Sequence, residues 1–272
     1  MLEPTPHPQF IVSGAPVSID VVILSFAKNE ELRRMTEHCL STLLASESPD
    51  SVVFRVIVVE SNHAAPTYDF ASVETVYLPP PFNYHRYMNH GIAKGNSPFV
   101  AICNNDLSFH PGWATSLLKA FSADDKLYSA SPICSLHHPR NGFELHSGIH
   151  YGYGVLKEIA GWCLVFRREM LEITGMLDER FYFWYADDDY ARTLQEKGLL
   201  HGLVTDAVVD HLDSQTLKEQ STFRQLMITR KSRFVFDEKW SDKGRWHLAR
   251  KKIKFYLQIP LYYLGFKKVF KK

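Results

Sequence analysis

The chain has 272 residues, 45% of them hydrophobic and 22% charged, with a formal net charge of +1. That balance excludes a disordered chain and supports one large folded core. No charge-free run of eighteen or more apolar residues occurs, which excludes a membrane-spanning helix on sequence grounds.

The charge is unevenly placed. From Glu238 to Lys272 there are eleven Lys or Arg against two acids, a net +9, while the rest carries 20 Lys or Arg against 28 acids, a net −8. A mildly acidic body with a basic tail points to an anionic partner for the tail. The opening "MLEPTPHPQFIVSGAPVSID" has neither the basic flank nor the long apolar core of a secretion signal, and residues 1–17 read as a loose lead-in. The four cysteines, Cys39, Cys103, Cys134 and Cys163, lack metal-type spacing and read as free buried thiols of a reducing compartment.

In chain order, "DVVILSF" (Asp20 to Phe26) is a buried-strand run, and "NEELRRMTEHCLSTLLA" follows with apolar residues at helical spacing. "SVVFRVIVVES" and "VETVYLP" are the second and third strands. "NYHRYMNHGIAKG" is a helix stopped by Gly95, "PFVAIC" the fourth strand, and "GWATSLLKAF" the next helix. This alternation predicts a mostly parallel sheet with helices on both faces. From about Ser131 to Gly161 the periodicity weakens and His137, His138, His146 and His150 gather, which reads as a mobile lid shaping an acceptor pocket rather than a metal cluster. "GWCLVFRREMLEITG" then gives a strand (Trp162 to Phe166) and a short helix ended by Gly175. "FYFWYADDDYARTLQEKG" runs an aromatic wall into three aspartates and a helix, and "HGLVTDAVVDHLDSQT" adds a strand carrying His211. The expected organisation is a lead-in over 1–17, a catalytic-type domain over 18–235 and a basic, aromatic, amphipathic helical tail over 236–272.

Polar clusters follow three of the apolar segments: Glu60-Ser61-Asn62, Asn104-Asn105-Asp106, and Asp187-Asp188-Asp189 with His211 beyond. In an open parallel sheet, loops leaving the carboxyl ends of strands converge on one edge, where ligands bind. Each cluster also has a plain structural use. Asn and Asp initiate turns, acids cap the first turn of a helix, and a lone histidine can be a packing residue. The chain has no Walker loop and no GxGxxG after its first strand, so a diphosphate would need a divalent cation on carboxylate in place of a glycine cradle.

Taken together, "SFAKNEE", "VVESN", "NYHRYMNHGIAKG", "ICNND", "GWCLVFRREMLEITGMLDERFYFWYADDDYARTL" and "VVDHLDSQT" resemble, in order and spacing, a family 2 glycosyltransferase of the GT-A fold, with likeness to rhamnosyltransferase-like members. The similarity runs from about Val17 to about Thr216. It implies transfer of a sugar from a nucleotide-diphosphate donor to an acceptor hydroxyl with inversion, using Mn²⁺ or Mg²⁺. The resemblance places Asp106 on the metal, with His211 as a further metal ligand. It places Ser25 and Glu60 on the base and ribose, Asn104 and Asn105 in the metal-motif segment of the donor site, and Asn89 in the helix before it. The catalytic base maps to Asp187, where the family's preceding Glu is replaced by Ala186, with Asp189 as the alternative. Such an enzyme would be cytoplasmic, peripheral at the inner membrane face, and would build a bacterial surface polysaccharide or lipopolysaccharide on a glycan or lipid-linked acceptor. The tail, with Trp240, Trp246, Phe255, Tyr256, Tyr262, Tyr263, Phe266 and Phe270 among its cations, would pack on the body, lie on an anionic membrane or hold nucleic acid. Two other functions remain open on the sequence: a glycosyltransferase acting on modified DNA bases, and a catalytically silent sugar-nucleotide or glycan-binding module.

Overall fold

The computed structural model describes residues 15–212, 222–242 and 244–263. The N-terminal lead-in up to residue 14 and the tail aromatics Phe266 and Phe270 lie outside these residues. The first strand, β1 (Val17–Ser25), pairs in parallel with β2 (Val52–Glu60) on one side and β4 (Phe99–Cys103) on the other, and β3 (Val73–Tyr77) extends β2. Helix α1 (Glu30–Ala45) starts at Asn29, whose side chain accepts the Leu32 N–H at 2.9 Å, a side-chain N-cap. Helix α2 (Tyr84–Lys94) is capped by Asn83 in the same way and ends at Gly95, as the sequence predicts.

Side-chain alternation along the strands builds two apolar layers. Ile19, Val21 and Ile23 of β1 face Cys39, Leu40 and Leu43 of α1, together with Trp113, Leu117 and Phe121 of α3 (Trp113–Ala123). Val22 and Leu24 face the opposite way, onto Tyr87, Met88 and Ile92 of α2, and onto α4 (Met170–Thr174) and α5 (Ala186–Lys197). α2 approaches closely at Gly91, where a β-carbon would lie 2.3 Å from a Val22 methyl.

The second half of the sheet departs from the parallel expectation. Its order is β3-β2-β1-β4-β8-β6-β9-β5, with β7 on β9. β8 (Cys163–Arg167) runs antiparallel between β4 and β6 (Leu127–Ile133), while β6 and β9 (Leu200–His211) are parallel to each other. The reason is connectivity: β8 starts at the edge where β6 ends, so after residues 134–162 the chain re-enters the sheet from that same edge and needs no crossover helix. Two short strands went unread in the sequence. β5 (Leu107–Phe109) pairs antiparallel with the end of β9, and β7 (Ile149–Tyr151) with its middle.

The stretch expected as a lid is tied down at many points. His138 is buried; its Nδ1 takes the Cys134 N–H at 2.6 Å and its Nε2 lies 3.0 Å from the Lys157 carbonyl. His146 pairs with Asp206, and His150 lies 2.9 Å from the Ser147 hydroxyl. The histidines thus go to separate partners, and among the described residues no group of three or more His, Cys, Asp or Glu is arranged to hold a metal ion. All four cysteines are free and buried.

Helices α6 (Thr222–Trp240) and α7 (Arg245–Tyr263) complete the described chain. α6 runs across the 235/236 position expected as a domain boundary, and α7 continues past Pro260. Among the described residues no helix is long and apolar enough to cross a membrane.

At the edge where β1 and β4 begin, Asp20 is fully buried. It accepts from the Ser97 N–H and hydroxyl at 2.8 Å each and ion-pairs with Arg168, which also caps the Ser97 and Ile92 carbonyls. This ties α2, β4 and β8 to β1. Asp20→Ala strands those donors and is expected to cost about 3–5 kcal/mol of unfolding free energy, read as a lower urea midpoint at unchanged slope. A loss under about 1 kcal/mol would show the cluster to be dispensable.

Candidate functional site

The carboxyl ends of β1, β2, β4 and β9 and the start of β8 share one edge. Ser25 stands opposite Glu60, Ile23 opposite Cys103, and Cys103 opposite Cys163. Beyond these pairs the chain changes from apolar to polar, and the predicted clusters converge there.

Asp106 follows β4 and is 2% exposed. The backbone holds it from both sides: its carbonyl accepts the Leu212 N–H at 2.9 Å, the Asn104 N–H donates to the Trp162 carbonyl at 2.8 Å, and Leu107 pairs with His211. Yet neither carboxylate oxygen accepts a hydrogen bond among the described residues. His211 Nε2 lies 3.3 Å from Oδ2, outside hydrogen-bonding geometry. Burying an ionised carboxylate costs several kcal/mol unless a partner supplies charge. An orphaned oxygen pair next to an imidazole nitrogen fits a divalent cation, and the oxygen–nitrogen donor set admits Mn²⁺ as well as Mg²⁺.

His211 is fixed by a neighbour that the sequence reading missed. Trp162 stacks on it, ring centroids 5.0 Å apart and planes 3° off parallel. The opposite flank of Trp162 is packed by His137 and His138 at 5.0 and 5.5 Å. Its buried indole N–H has no hydrogen-bond partner among the described residues. The Gly-Trp pair opening a strand was the available signal for this role.

Ser25, Glu60 and Asn105 form a polar floor around Tyr68. Glu60, fully buried, accepts the Ala27 and Asn62 N–H groups at 3.1 and 2.7 Å and the Tyr68 hydroxyl at 3.0 Å. The Ser25 hydroxyl lies 2.8 Å from that of Tyr68 and 3.0 Å from that of Thr36, which in turn accepts from Asn105 at 2.8 Å. Burial, followed by the Glu60 charge, pushes the Tyr68 hydroxyl up to about 12. Glu60 and Ser25 therefore shape the loops after β1 and β2 from beneath. Asn104, half-buried, is different: its side-chain amide makes no hydrogen bond among the described residues.

Asp187 and Asp189 part company. Tyr185, in the left-handed region at φ 65°, turns the chain into α5, a strained conformation for a tyrosine. Asp189 lies on the buried side of α5, where its oxygens accept from Trp240 Nε1 at 2.6 Å and from Lys239 at 2.9 Å. The expected alternative base is thus an anchor for α6. Asp187 instead reaches Gly161, where a β-carbon would lie 2.3 Å from its Cγ. That places it beside the residue preceding Trp162. It accepts no hydrogen bond among the described residues, and burial, then the Asp188 charge, raises its carboxyl to about 6. Its charge in turn, after burial, pushes the Tyr84 hydroxyl up.

Asn89, expected in the donor site, is occupied elsewhere. Its amide holds the Leu177 carbonyl and N–H at 2.8 and 3.0 Å and the Glu179 carboxylate at 3.1 Å. It tethers the segment between α4 and α5, so the sequence expectation is corrected there.

No family model matches the chain, and no curated protein matches it in sequence. Solved structures do match in shape. A structure of GalNAc-T7 with UDP, GalNAc and Mn²⁺ superposes with a TM-score of 0.61 at 11% identity, over 90% of this chain and 51% of the other. The mannosyltransferase PcManGT from Pyrobaculum calidifontis, in complex with GDP-Man and Mn²⁺, gives 0.51 at 12% identity, over 89% and 81%. The chain spans about half the length of the GalNAc-T7 chain. It shares the GT-A fold of these proteins.

A carboxylate kept for a ligand and one kept for stability respond oppositely to removal. Asp106→Asn is expected to melt at or above the wild-type temperature without metal, because it removes a buried carboxylate whose oxygens accept no hydrogen bond among the described residues. It should also lose the upward shift that Mn²⁺ with a nucleoside diphosphate gives the wild type, about 2.7 kcal/mol at a hundredfold excess over the dissociation constant. Strong destabilisation with the Mn²⁺ response intact would make Asp106 a structural residue.

Proposed function

We propose that the protein is a metal-dependent, inverting glycosyltransferase that moves a sugar from a nucleoside-diphosphate donor to an acceptor hydroxyl. The observation that carries this reading is the buried Asp106 carboxylate, with neither oxygen hydrogen-bonded among the described residues, beside His211 at the carboxyl edge of a GT-A sheet. The solved structures of that fold that hold a nucleotide or nucleotide sugar and Mn²⁺ support metal-dependent use of a nucleotide sugar, and inversion follows from the resemblance of the motifs to family 2 enzymes.

Asp106 and His211 would hold the divalent cation, which when bound neutralises charge on the donor's diphosphate and improves it as a leaving group. The protein's own part is positioning and proton transfer. Trp162 holds the His211 ring in one orientation against Asp106. The Asn104 amide, without a hydrogen bond among the described residues, would bond the donor. Asp187 accepts the acceptor hydroxyl's proton as that oxygen bonds to the anomeric carbon and the sugar–phosphate bond breaks. A carboxylate raised to about 6 is a better base than an ordinary aspartate and is still ionised at neutral pH. Tyr182 and Trp184, both partly exposed just ahead of Asp187, offer flat apolar faces to a sugar ring. A glycan acceptor would suit that wall, and the family resemblance points to surface-polysaccharide assembly.

Three measurements test the base. In wild-type protein, kcat/KM should rise about tenfold per pH unit up to about 6 and then level, because only the ionised carboxylate accepts a proton. Asp187→Asn should lower kcat by about 10²–10⁴-fold. It should also gain stability at pH 8: the native carboxyl lies above its ordinary value of 3.8, so its ionisation opposes folding as pH climbs from there through about 6. Turnover unchanged in Asp187→Asn would remove Asp187 from the mechanism.

A further inference from the structure

The tail reading narrows to one helix face. On α7, Leu248 and Phe255 are buried, and Phe255 packs edge-on against Phe234 of α6 at 5.5 Å. Lys251 and Lys252 reach across to Asp237 and Glu238 of α6. These contacts fix which side of α7 meets the body. The opposite side carries Trp246, Ile253 and Leu257, exposed by 86%, 59% and 68%. At 100° per residue these three fall within about 40° of one another, in a stripe about 17 Å long. Tyr256, 48% exposed, borders the stripe on one flank. Arg250 and Lys254, both exposed and without an ion pair among the described residues, border it on the other.

Single exposed apolar residues need no explanation, but an aligned row of large ones on an outward helix face does. We propose that this face of α7 docks the protein onto an anionic lipid surface, lying in the interface plane. Trp246, Ile253 and Leu257 would enter the headgroup–acyl boundary while Arg250 and Lys254 meet lipid phosphates. The surrounding charge matches this occupant, since the segment from Glu238 onward carries a net +9 on a body of net −8. That asymmetry would orient the basic end toward the membrane and the acidic body away from it. Nucleic acid, the other polyanion, would satisfy the cations but leave the apolar row unused. The face lies on a helix packed against α6, so the proposal stands apart from the reading of the sheet edge.

The full chain is mixed with phosphatidylcholine vesicles, and with vesicles of phosphatidylcholine and phosphatidylglycerol, and followed by flotation and tryptophan emission across a salt series. Expected is co-flotation with the anionic vesicles, weakened but not abolished by salt. The blue shift of emission should be lost in Trp246→Phe, judged by difference from wild type. The triple variant Trp246→Ser/Ile253→Ser/Leu257→Ser should lower the partition coefficient at least tenfold. Its melting temperature should be unchanged, because the three side chains are exposed. Three results would overturn the proposal. One is absence of binding to either vesicle. A second is vesicle binding that survives the triple substitution. The third is loss, in the triple variant, of a wild-type dimer seen by light scattering, which would assign the stripe to a second copy. Retardation of duplex DNA equal in wild type and triple variant, with no flotation, would point to nucleic acid instead and count against the lipid surface.

Discussion

A carboxylate held out of water with neither oxygen hydrogen-bonded among the described residues is a standing cost to the folded state, and Asp106 is such a group. The chain does not let it escape. The backbone on both sides is pinned by the Asn104–Trp162 and Leu212–Asp106 hydrogen bonds and by the pairing of β5 with the end of β9. A side chain constrained this firmly, and satisfied so poorly, makes sense when its partner comes from outside the protein.

Other buried acids show how differently this protein treats carboxylates that serve the fold. Asp20 takes donors from Ser97 and Arg168, Glu60 from two backbone amides and Tyr68, Asp189 from Lys239 and Trp240. Those three secure, in turn, the edge far from the site, the loops after β1 and β2, and the seat of α6. Only Asp106 and Asp187, among these, stand at the carboxyl edge without such donors. Gly161 links the two: it leaves room for the Asp187 carboxylate, and its successor Trp162 stacks on the histidine facing Asp106. A side chain at 161 would evict the first, and loss of the indole would free the second to swing.

Much of this was legible in the amino-acid order. The apolar runs of β1, β2 and β4, the asparagine caps of α1 and α2 and the stop at Gly95 are local signals, and the structure follows them. The convergence of Asp106 and His211 was legible too, because parallel strands deliver their ends to one edge. What local patterns could not carry was partner choice. A continuous apolar run such as Cys163–Phe166 reads the same in a parallel or an antiparallel strand, so the reversal of β8 was hidden. The three-residue strands β5 and β7 are too short to show a period. Likewise an Asp-rich first turn does not say which carboxylate faces inward; only the arrival of Lys239 and Trp240 from a distant helix separates Asp189 from Asp187. Asn89 misled for the same reason, its tether to Leu177 lying 88 residues away.

The most direct test is crystallographic. Crystals grown with Mn²⁺ and a nucleoside diphosphate should show an anomalous manganese peak in coordination contact with the Asp106 carboxylate and His211 Nε2, with diphosphate oxygens completing the shell. A peak elsewhere, with Asp106 still touching only protein, would contradict the central claim.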